Sequence, residues 1–137
     1  MIRVRAPSNI ALIKYMGKFD FSSNLPANPS LSMTLEGLCT EIEIEVDERS
    51  LHDRLESHPG ISSSGVDRFL KHIERVRQGV QKIFPFYDLK QSSHRGGLVI
   101  RSSNTFPDSA GIASSASSFA ALTLAVAAVC ADDLEKF

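Results

Sequence analysis

The residues best suited to chemistry lie in the segment 107–118, where small residues and serines open a long uncharged run. Gly111 and Ala113 would let the backbone approach an anion closely, and Ser114 and Ser115 add hydroxyls for phosphate oxygens or Mg²⁺. If a helix begins here, its first N–H groups are unpaired and its dipole attracts an anion without a basic side chain. The same serines could simply cap a helix whose small residues allow close packing. The segment alone leaves phosphate binding and plain capping open.

A second group of candidate residues lies nearer the N-terminus. Its members carry donors of different length and charge on a segment that otherwise resembles sheet and turn; they are Asn9, Lys14, Tyr15, Lys18, Asn24 and Asn28. A mobile lysine charge and a neutral tyrosine donor suit a small, multiply charged anion. Alternatively, these residues lie on the surface beside a hairpin.

Other catalytic patterns are absent from the sequence. It contains no GxxxxGK[ST] loop, no GxGxxG after a strand, no GxSxG elbow and no HExxH. The four histidines are scattered, and none is nominated as the partner of Ser114 or Ser115 in a serine hydrolase. Cys39 and Cys130 lack a CxxC or metal-binding spacing, which predicts reduced thiols in a cytoplasmic protein.

Length and composition indicate one globular domain. The chain has 137 residues, 42% of them hydrophobic, with 15 basic and 16 acidic residues and a net charge of −1. This balance favours neither nucleic acid nor an anionic membrane as partner. The uncharged run from Ser109 to Ala131 is 23 residues long. Because it is rich in Ala and Ser, it predicts a buried helix of a soluble protein rather than a membrane span.

Periodicity predicts four strands and two helices. Strands are expected where polar and apolar residues alternate or an apolar run is short, at 2–6, 31–35, 39–47 and 98–102. Pro7-Ser8-Asn9 should end the first strand, Pro26 and Pro29 should keep 22–30 irregular, and 51–64 should be a polar loop. The row of acidic residues along 39–47 predicts a solvated sheet face rather than a metal site.

The helices complete the fold prediction. Apolar spacings of three and four predict an amphipathic helix from Val66 to Phe84, with the second helix in the uncharged run. The polar face of the first helix carries a basic stripe, from which one arginine could reach an anionic ligand; it comprises Arg68, Lys71, Arg75, Arg77 and Lys82. The order of elements predicts a mixed α/β (α+β) fold with helices packed on one face of a mixed sheet.

Three blocks together resemble the N-terminal part of the diphosphomevalonate decarboxylase family, within the GHMP small-molecule kinase superfamily. They are Ala6–Lys18, Asn24–Leu35, and Ser102–Pro107 followed by Gly111–Ala116. The last contains PxxxGxxSS, a form of the superfamily's phosphate loop, and the first two narrow the match to the decarboxylases. The resemblance implies a GHMP-kinase-like fold, in which residues 1–137 are part of an N-terminal ATP-binding domain and a C-terminal domain lies outside the chain.

The resemblance also implies roles for individual residues. Asn9 would contact the carboxylate or hydroxyl end of the mevalonate moiety, Tyr15 and Lys18 would bind its diphosphate, and Arg68 is a further substrate-binding candidate. The ATP phosphates would be bound by Ser102, Asn104, Gly111, Ile112, Ala113, Ser114 and Ser115. The family's catalytic aspartate is expected outside this chain.

By the same resemblance, the parent enzyme would use ATP and Mg²⁺ to phosphorylate mevalonate 5-diphosphate and decarboxylate it to isopentenyl diphosphate, as a cytoplasmic homodimer. Two departures concern the substrate, since Met16 stands where the family usually has Trp and Phe19 where it commonly has Arg. They keep two alternatives open. One is a kinase that phosphorylates a mevalonate-like alcohol without decarboxylation, and the other is a non-catalytic fragment.

Overall fold

A computed structural model describes residues 1–14, 16–23, 25–57, 61–83, 96–107 and 114–131. The strands are β1 (Ile2–Ile13), β2 (Lys18–Asp20), β3 (Leu25–Pro26), β4 (Leu31–Asp47), β5 (Arg54–Ser57) and β6 (Gly97–Asn104). The helices are α1 (Ser63–Ile83) and α2 (Ser114–Cys130).

The main sheet is mixed and has the strand order β1-β4-β6-β5. β4 pairs antiparallel with β1 and β6, whereas β5 runs parallel to β6. β2 and β3 form a separate antiparallel hairpin. The mixed α+β class expected from the sequence is confirmed.

The helices cover one face of this sheet. Ile42 and Ile44 of β4 point inward and are fully buried, as their alternation with glutamates predicts. They belong to the same core cluster as Ile73 of α1 and Leu122 of α2. α2 is apolar on most of its circumference because it packs against β1, β4 and α1. Neither helix among the described residues is both long and apolar enough to cross a bilayer.

The opposite face carries charge of both signs. Arg101 of β6 lies 3.1 Å from a carboxylate oxygen of Glu45 and 2.5 Å from one of Glu56. Arg3 of β1 pairs in the same way with Glu43 of β4. The acidic row therefore lies on a sheet face that carries several ion pairs. Each ion pair adds little to stability because it is exposed to solvent.

β1 and β4 are longer than the sequence predicts. The sequence predicts that Pro7 ends β1, but β1 continues through it, because an edge strand can accommodate a residue without an N–H group. The predicted strands 31–35 and 39–47 are one strand, joined through a bulge. Pro7 lies opposite Cys39 and Asn9 opposite Thr34, so residues 35–38 face Ser8 alone. Beyond the bulge, β1 and β4 continue as a two-stranded ribbon, 9–13 with 31–34, which we call the arm.

Two short pairings were also missed. The predicted loop 51–64 contains β5, whose position is supported by Asp53 next to it. The Asp53 carboxylate accepts hydrogen bonds from Arg77 at 2.6 and 2.9 Å and from the backbone N–H of Leu98 at 2.9 Å. Arg77 thus stabilises the fold through Asp53 and is not part of a solvated basic stripe. Pro26, expected in irregular chain, ends the two-residue β3.

Candidate functional site

The end of β6 and the start of α2 lie together at one end of the core. Asn104 is the last residue of β6, and Ser114 and Ser115 are the first two of α2. Ser114 is half-buried and Ser115 exposed. Gly111, Ile112 and Ala113, predicted to contact phosphate, lie outside the described residues. The flanks of the predicted phosphate loop are nevertheless defined.

A buried polar chain connects these flanks through Thr40 of β4. The Thr40 hydroxyl donates to Oδ1 of Asn104 at 2.8 Å and shares a hydrogen bond of 2.7 Å with the hydroxyl of Ser117. The Ser117 hydroxyl in turn lies 3.0 Å from the carbonyl oxygen of Ser114, to which it can donate. Thr40 and Ser117 are almost completely buried. Two adjoining hydroxyls, those of Thr40 and Ser117, thus connect Asn104 to Ser114, two of the predicted nucleotide-binding residues.

Thr105 anchors the β6 side to the bulge in β4. Its hydroxyl donates to the carbonyl oxygen of Gly37 and accepts from the backbone N–H of Cys39, both at 2.9 Å. Its own N–H donates to the carbonyl oxygen of Cys39, also at 2.9 Å. Gly37 has a φ of 78°, a conformation that glycine adopts without steric cost. The bulge therefore supports the segment that leads into the predicted loop.

Ser102, another predicted nucleotide contact, is 4% exposed, and its hydroxyl has no hydrogen-bond partner among the described residues. It lies opposite Ile42, on the face that the helices cover. A buried hydroxyl without a partner is unfavourable, so this oxygen is available to a water molecule or an incoming polar group.

The first turn of α2 has no acidic side chain. No carboxylate of that turn would repel a phosphate group near its N–H groups, so these residues fit a nucleotide phosphate chain. Among the described residues, no group of three or more His, Cys, Asp or Glu side chains could hold a metal ion.

The N-terminal candidates are divided between β1 and the β2–β3 hairpin. Asn9 on β1 donates through Nδ2 to the hydroxyl of Ser32 on β4 at 3.2 Å. Lys18 begins β2 and is half-buried, and its Nζ lies 5.7 Å from the ring centroid of Phe21. Tyr15, predicted to bind diphosphate with Lys18, lies outside the described residues, as does Asn24.

Asn28 supports the hairpin. Its Oδ1 accepts from the N–H of Met16 at 2.8 Å, and its Nδ2 donates to the carbonyl oxygens of Pro29 at 2.9 Å and Lys14 at 3.5 Å. Gly17, whose φ is 94°, allows the chain to turn between these contacts. The role of this asparagine in the candidate cluster is thus to position the backbone around Lys14 and Lys18.

Asp20 closes the turn after β2. Its carboxylate accepts hydrogen bonds from the hydroxyl of Ser23 at 2.5 Å and from the backbone and hydroxyl of Ser22 at 2.9 Å. These bonds, led by that from Ser23, lower the pKa of Asp20 to about 2. Asp20 is therefore a structural anion at neutral pH, close in sequence to Lys18.

Arg68 lines a basic cavity between α1 and α2. In the sequence it is distant from the N-terminal cluster. The cavity has a volume of about 260 Å³ and is lined by Arg68, Lys71, His72, Arg75 and Phe119. The guanidinium carbon of Arg68 lies 5.6 Å from the Phe119 ring centroid. Among the described residues, no acidic side chain lines the cavity, so the charge of this lining favours an anionic occupant.

His72 connects the cavity to α2. Its Nε2 lies 2.8 Å from the hydroxyl of Thr123, which donates to the carbonyl oxygen of Phe119 at 2.7 Å. Because the threonine proton is used in that bond, the histidine must donate, which assigns a proton to Nε2. Burial, with a smaller effect of Arg75, lowers the pKa of His72. The imidazole is therefore held in its neutral form.

Sequence reasoning missed the residues that join the nucleotide candidates, Thr40 and Ser117. A signal for Thr40 exists in the sequence, since it is a polar residue in the inward row that continues with Ile42 and Ile44. Ser117 offered no comparable signal within a serine-rich helix.

Comparison with known proteins identifies the family of this arrangement. Residues 6–136 match the family described as the diphosphomevalonate decarboxylase-like N-terminal domain. The diphosphomevalonate decarboxylase of Aspergillus fumigatus is 40% identical over 131 residues, which cover 89% of this chain and 31% of that protein. The chain thus spans about a third of the length of the curated relatives it matches.

Solved structures agree in fold. The mevalonate diphosphate decarboxylase from Legionella pneumophila has a TM-score of 0.71 at 40% identity, covering 90% of this chain and 38% of its own. That from Enterococcus faecalis, for which mevalonate diphosphate-mediated ATP binding is described, has a TM-score of 0.58 at 28% identity. It covers 96% of this chain and 43% of its own. With a family match across nearly its whole length, the chain belongs to the diphosphomevalonate decarboxylase-like N-terminal domain family.

Proposed function

We propose that this chain is the nucleotide-binding, N-terminal part of an ATP-dependent diphosphomevalonate decarboxylase. The observation that carries the proposal is the hydrogen-bonded connection from Asn104 to Ser114 through the hydroxyls of Thr40 and Ser117. It holds the two described flanks of PxxxGxxSS at one end of the core, as a phosphate loop requires. Residues 1–137 would form part of the ATP-binding domain, with the remaining domain outside this chain.

The nucleotide phosphates would lie at the start of α2. Its first N–H groups and the hydroxyls of Ser114 and Ser115 would donate to phosphate oxygens, aided by Ser102 and Asn104 and by the segment Gly111–Ala113. Ser114, Ser115 and water would complete the coordination of a magnesium ion that the phosphates bind. Bound Mg-ATP supplies the phosphoryl group that converts the tertiary hydroxyl of the substrate into a better leaving group.

Mevalonate 5-diphosphate would be bound by the N-terminal cluster. Lys18 and Tyr15 would bind the diphosphate, and Asn9 the carboxylate or hydroxyl end. Arg68 would add positive charge from α1, where its guanidinium carbon lies 5.6 Å from the centroid of the Phe119 ring. The cations offset the charge that accumulates when two polyphosphates lie close together. The aspartate that positions the reacting hydroxyl would come from outside the chain.

The second candidate function is phosphorylation without decarboxylation. Met16 and Phe19, in place of the Trp and Arg of the family pattern, are 82% and 83% exposed beside Lys18. They remove a flat ring and a charge from the part of the site that would recognise the diphosphate. A monophosphate or an unphosphorylated mevalonate would then become an alternative substrate.

The product of the reaction distinguishes the two functions. The protein that contains this chain is incubated with Mg-ATP and mevalonate 5-diphosphate labelled in the carboxyl carbon. Release of labelled carbon dioxide is expected, whereas accumulation of a stable phosphorylated acid would replace the first proposal by the second.

Ser115→Ala should lower nucleotide affinity without unfolding the protein. Unchanged affinity and turnover would support plain capping of α2.

The third alternative, a non-catalytic fragment, is tested on the 137 residues alone. A rise in melting temperature with Mg-ATP is expected if the chain binds nucleotide by itself. The absence of any shift, together with absence of turnover in the protein that contains it, would favour the non-catalytic alternative. That the parent protein is a homodimer stays a prediction. Its molecular mass in solution would test it.

A further inference from the structure

We propose that Thr40 is a positioning residue that sets the spacing between the end of β6 and the start of α2. This inference rests on the proposed function, because the spacing matters if Asn104 and Ser114 bind the same phosphate chain. Thr40 would touch no ligand itself. It would act through the two residues that the buried polar chain connects.

The geometry gives Thr40 a contact in each direction. On one side its hydroxyl is 2.8 Å from Oδ1 of Asn104, and on the other 2.7 Å from the hydroxyl of Ser117. Ser117 reaches back one turn to the carbonyl oxygen of Ser114 at 3.0 Å. One side chain of β4 therefore links the last residue of a strand to the first turn of a helix.

The contacts of the buried polar chain depend on one another because its hydroxyl protons are few. Two hydroxyls, on Thr40 and Ser117, supply one proton each, yet the three short contacts extend from Asn104 to the carbonyl of Ser114. Because Thr40 donates its proton to Oδ1 of Asn104, the single proton of Ser117 is shared between the Thr40 hydroxyl and the carbonyl oxygen of Ser114. A change at Asn104 thus alters the bonding of Ser114. Removal of the Thr40 hydroxyl breaks two of the three contacts at once.

Packing alone does not require this hydroxyl. Thr40 is fully buried in the row of β4 that continues with Ile42 and Ile44. A valine of nearly the same shape would suit that row, whereas a buried hydroxyl is favourable only when hydrogen-bonded. The bonds of Thr105 attach β6 to β4 alone, at Gly37 and Cys39. Thr40 differs because its contacts extend to α2.

The test compares matched variants of the protein that contains this chain. Thr40→Val removes the hydroxyl and Thr40→Ser restores it, while Ser117→Ala breaks the link at α2 with little change in core volume. Thr123→Val is the control, since it removes a hydrogen-bonded hydroxyl from the same helix two turns away. The measurements are the dissociation constant for Mg-ATP and amide hydrogen exchange of residues 114–118.

Thr40→Val and Ser117→Ala should each weaken Mg-ATP binding about tenfold, as expected for loss of about 1.4 kcal/mol. Both should speed exchange in the first turn of α2. Thr40→Ser should stay within about threefold of wild type, and Thr123→Val should change neither measurement beyond its general loss of stability. Rescue by serine would exclude a purely steric role.

Two results would overturn the inference. One is wild-type affinity and wild-type exchange in both Thr40→Val and Ser117→Ala, and the other is equal weakening by Thr123→Val. A wild-type protein that binds no Mg-ATP would instead overturn the proposed function. Exchange of residues 114–118 would still decide whether Thr40 holds the start of α2.

Discussion

Lys18 is the positively charged residue of the N-terminal cluster that lies in a regular element of the fold. It begins β2 and is half-buried, with its ammonium nitrogen 5.7 Å from the centre of the Phe21 ring. A cation–π contact at such a site is worth about 0.5–1 kcal/mol. A diphosphate would offer this ammonium group a charge-assisted hydrogen bond of about 1.5–3 kcal/mol.

Lys18→Ala should therefore raise the KM for the diphosphate substrate by about 10–100-fold, since about 1.5–3 kcal/mol of binding is lost. Steady-state kinetics of the protein that contains this chain measure the change. Lys82→Ala is the control, because this exposed lysine lies in the last turn of α1. A KM that stays at the wild-type value would remove Lys18 from the substrate site.

His72 makes stability depend on pH. Burial disfavours the imidazolium, so its pKa in the fold is below the ordinary value of 6.5 that the unfolded chain retains. Protons then bind the unfolded state more readily. The contribution of His72 is full above about pH 6.5 and is lost as the pH falls from there toward the lowered pKa.

The free energy of unfolding should thus decrease as the pH falls below about 6.5, and His72→Gln should flatten this part of the curve. Urea unfolding at a series of pH values measures it. His52→Gln is the control, because His52 is exposed. A curve of the same slope in His72→Gln and wild type would contradict the assignment.

At the scale of elements, the bulge in β4 connects the sheet to the candidate site. Four residues of β4, 35–38, face one residue of β1, and Gly37 adopts a positive φ among them. Bulges of this kind bend a strand and often lie beside functional sites. Here the bulge presents the Gly37 carbonyl and the Cys39 N–H to Thr105.

Gly37→Ala should destabilise the protein by about 1–2 kcal/mol, because an L-residue at this φ is strained. A Cβ at Gly37 would meet no atom within 4 Å, so the effect comes from the backbone rather than from a clash. Thermal unfolding measures the loss. Gly79→Ala, at a helical glycine that also has no neighbour within 4 Å of a Cβ, should be neutral or stabilising. Equal effects of the two substitutions would contradict the role of φ.

The elements that the sequence predicted well are those with a long, regular pattern. The alternation along 39–47 and the helical spacing along α1 as far as Val80 each bury one face, so pattern and packing agree there. β5 escaped prediction because it is short and its position depends on Asp53, which reaches both Arg77 and the N–H of Leu98. Such tertiary contacts leave no periodic signal. The continuation of β1 through Pro7 was missed because a proline signals a break unless its strand lies at an edge.

At the scale of the whole molecule, the sequence predicted the candidate site in two clusters. The structure connects Asn104 to Ser114 through Thr40 and Ser117, and Thr40 was missed because it resembles an ordinary strand residue. The N-terminal cluster was predicted as a set of donors, but Asn28 binds backbone groups around the β2–β3 hairpin. Its role follows from how the chain turns back at Gly17, which composition does not reveal.

Stability should be distributed unevenly between the helix-covered core and the arm. Leu122 of α2 is fully buried, so Leu122→Ala should destabilise by about 2–5 kcal/mol. Leu12, on the arm, is 61% exposed, and Leu12→Ala should change stability by less than about 0.5 kcal/mol. Chemical denaturation of the two variants compares them directly. A large loss in Leu12→Ala would mean that the arm packs against something in solution.

The arm also has a consequence for how the chain behaves in a test tube. Ile10, Leu12, Ile13, Leu31 and Met33 all expose about half or more of their surface there. Within the described part of the chain, β1 lies at the edge of the sheet, so its outer backbone groups have no neighbouring strand beside these apolar side chains. The isolated 137-residue chain should therefore bind an apolar fluorescent dye while natively folded and scatter more light as it is concentrated. Mild detergent should suppress both effects without altering its circular dichroism.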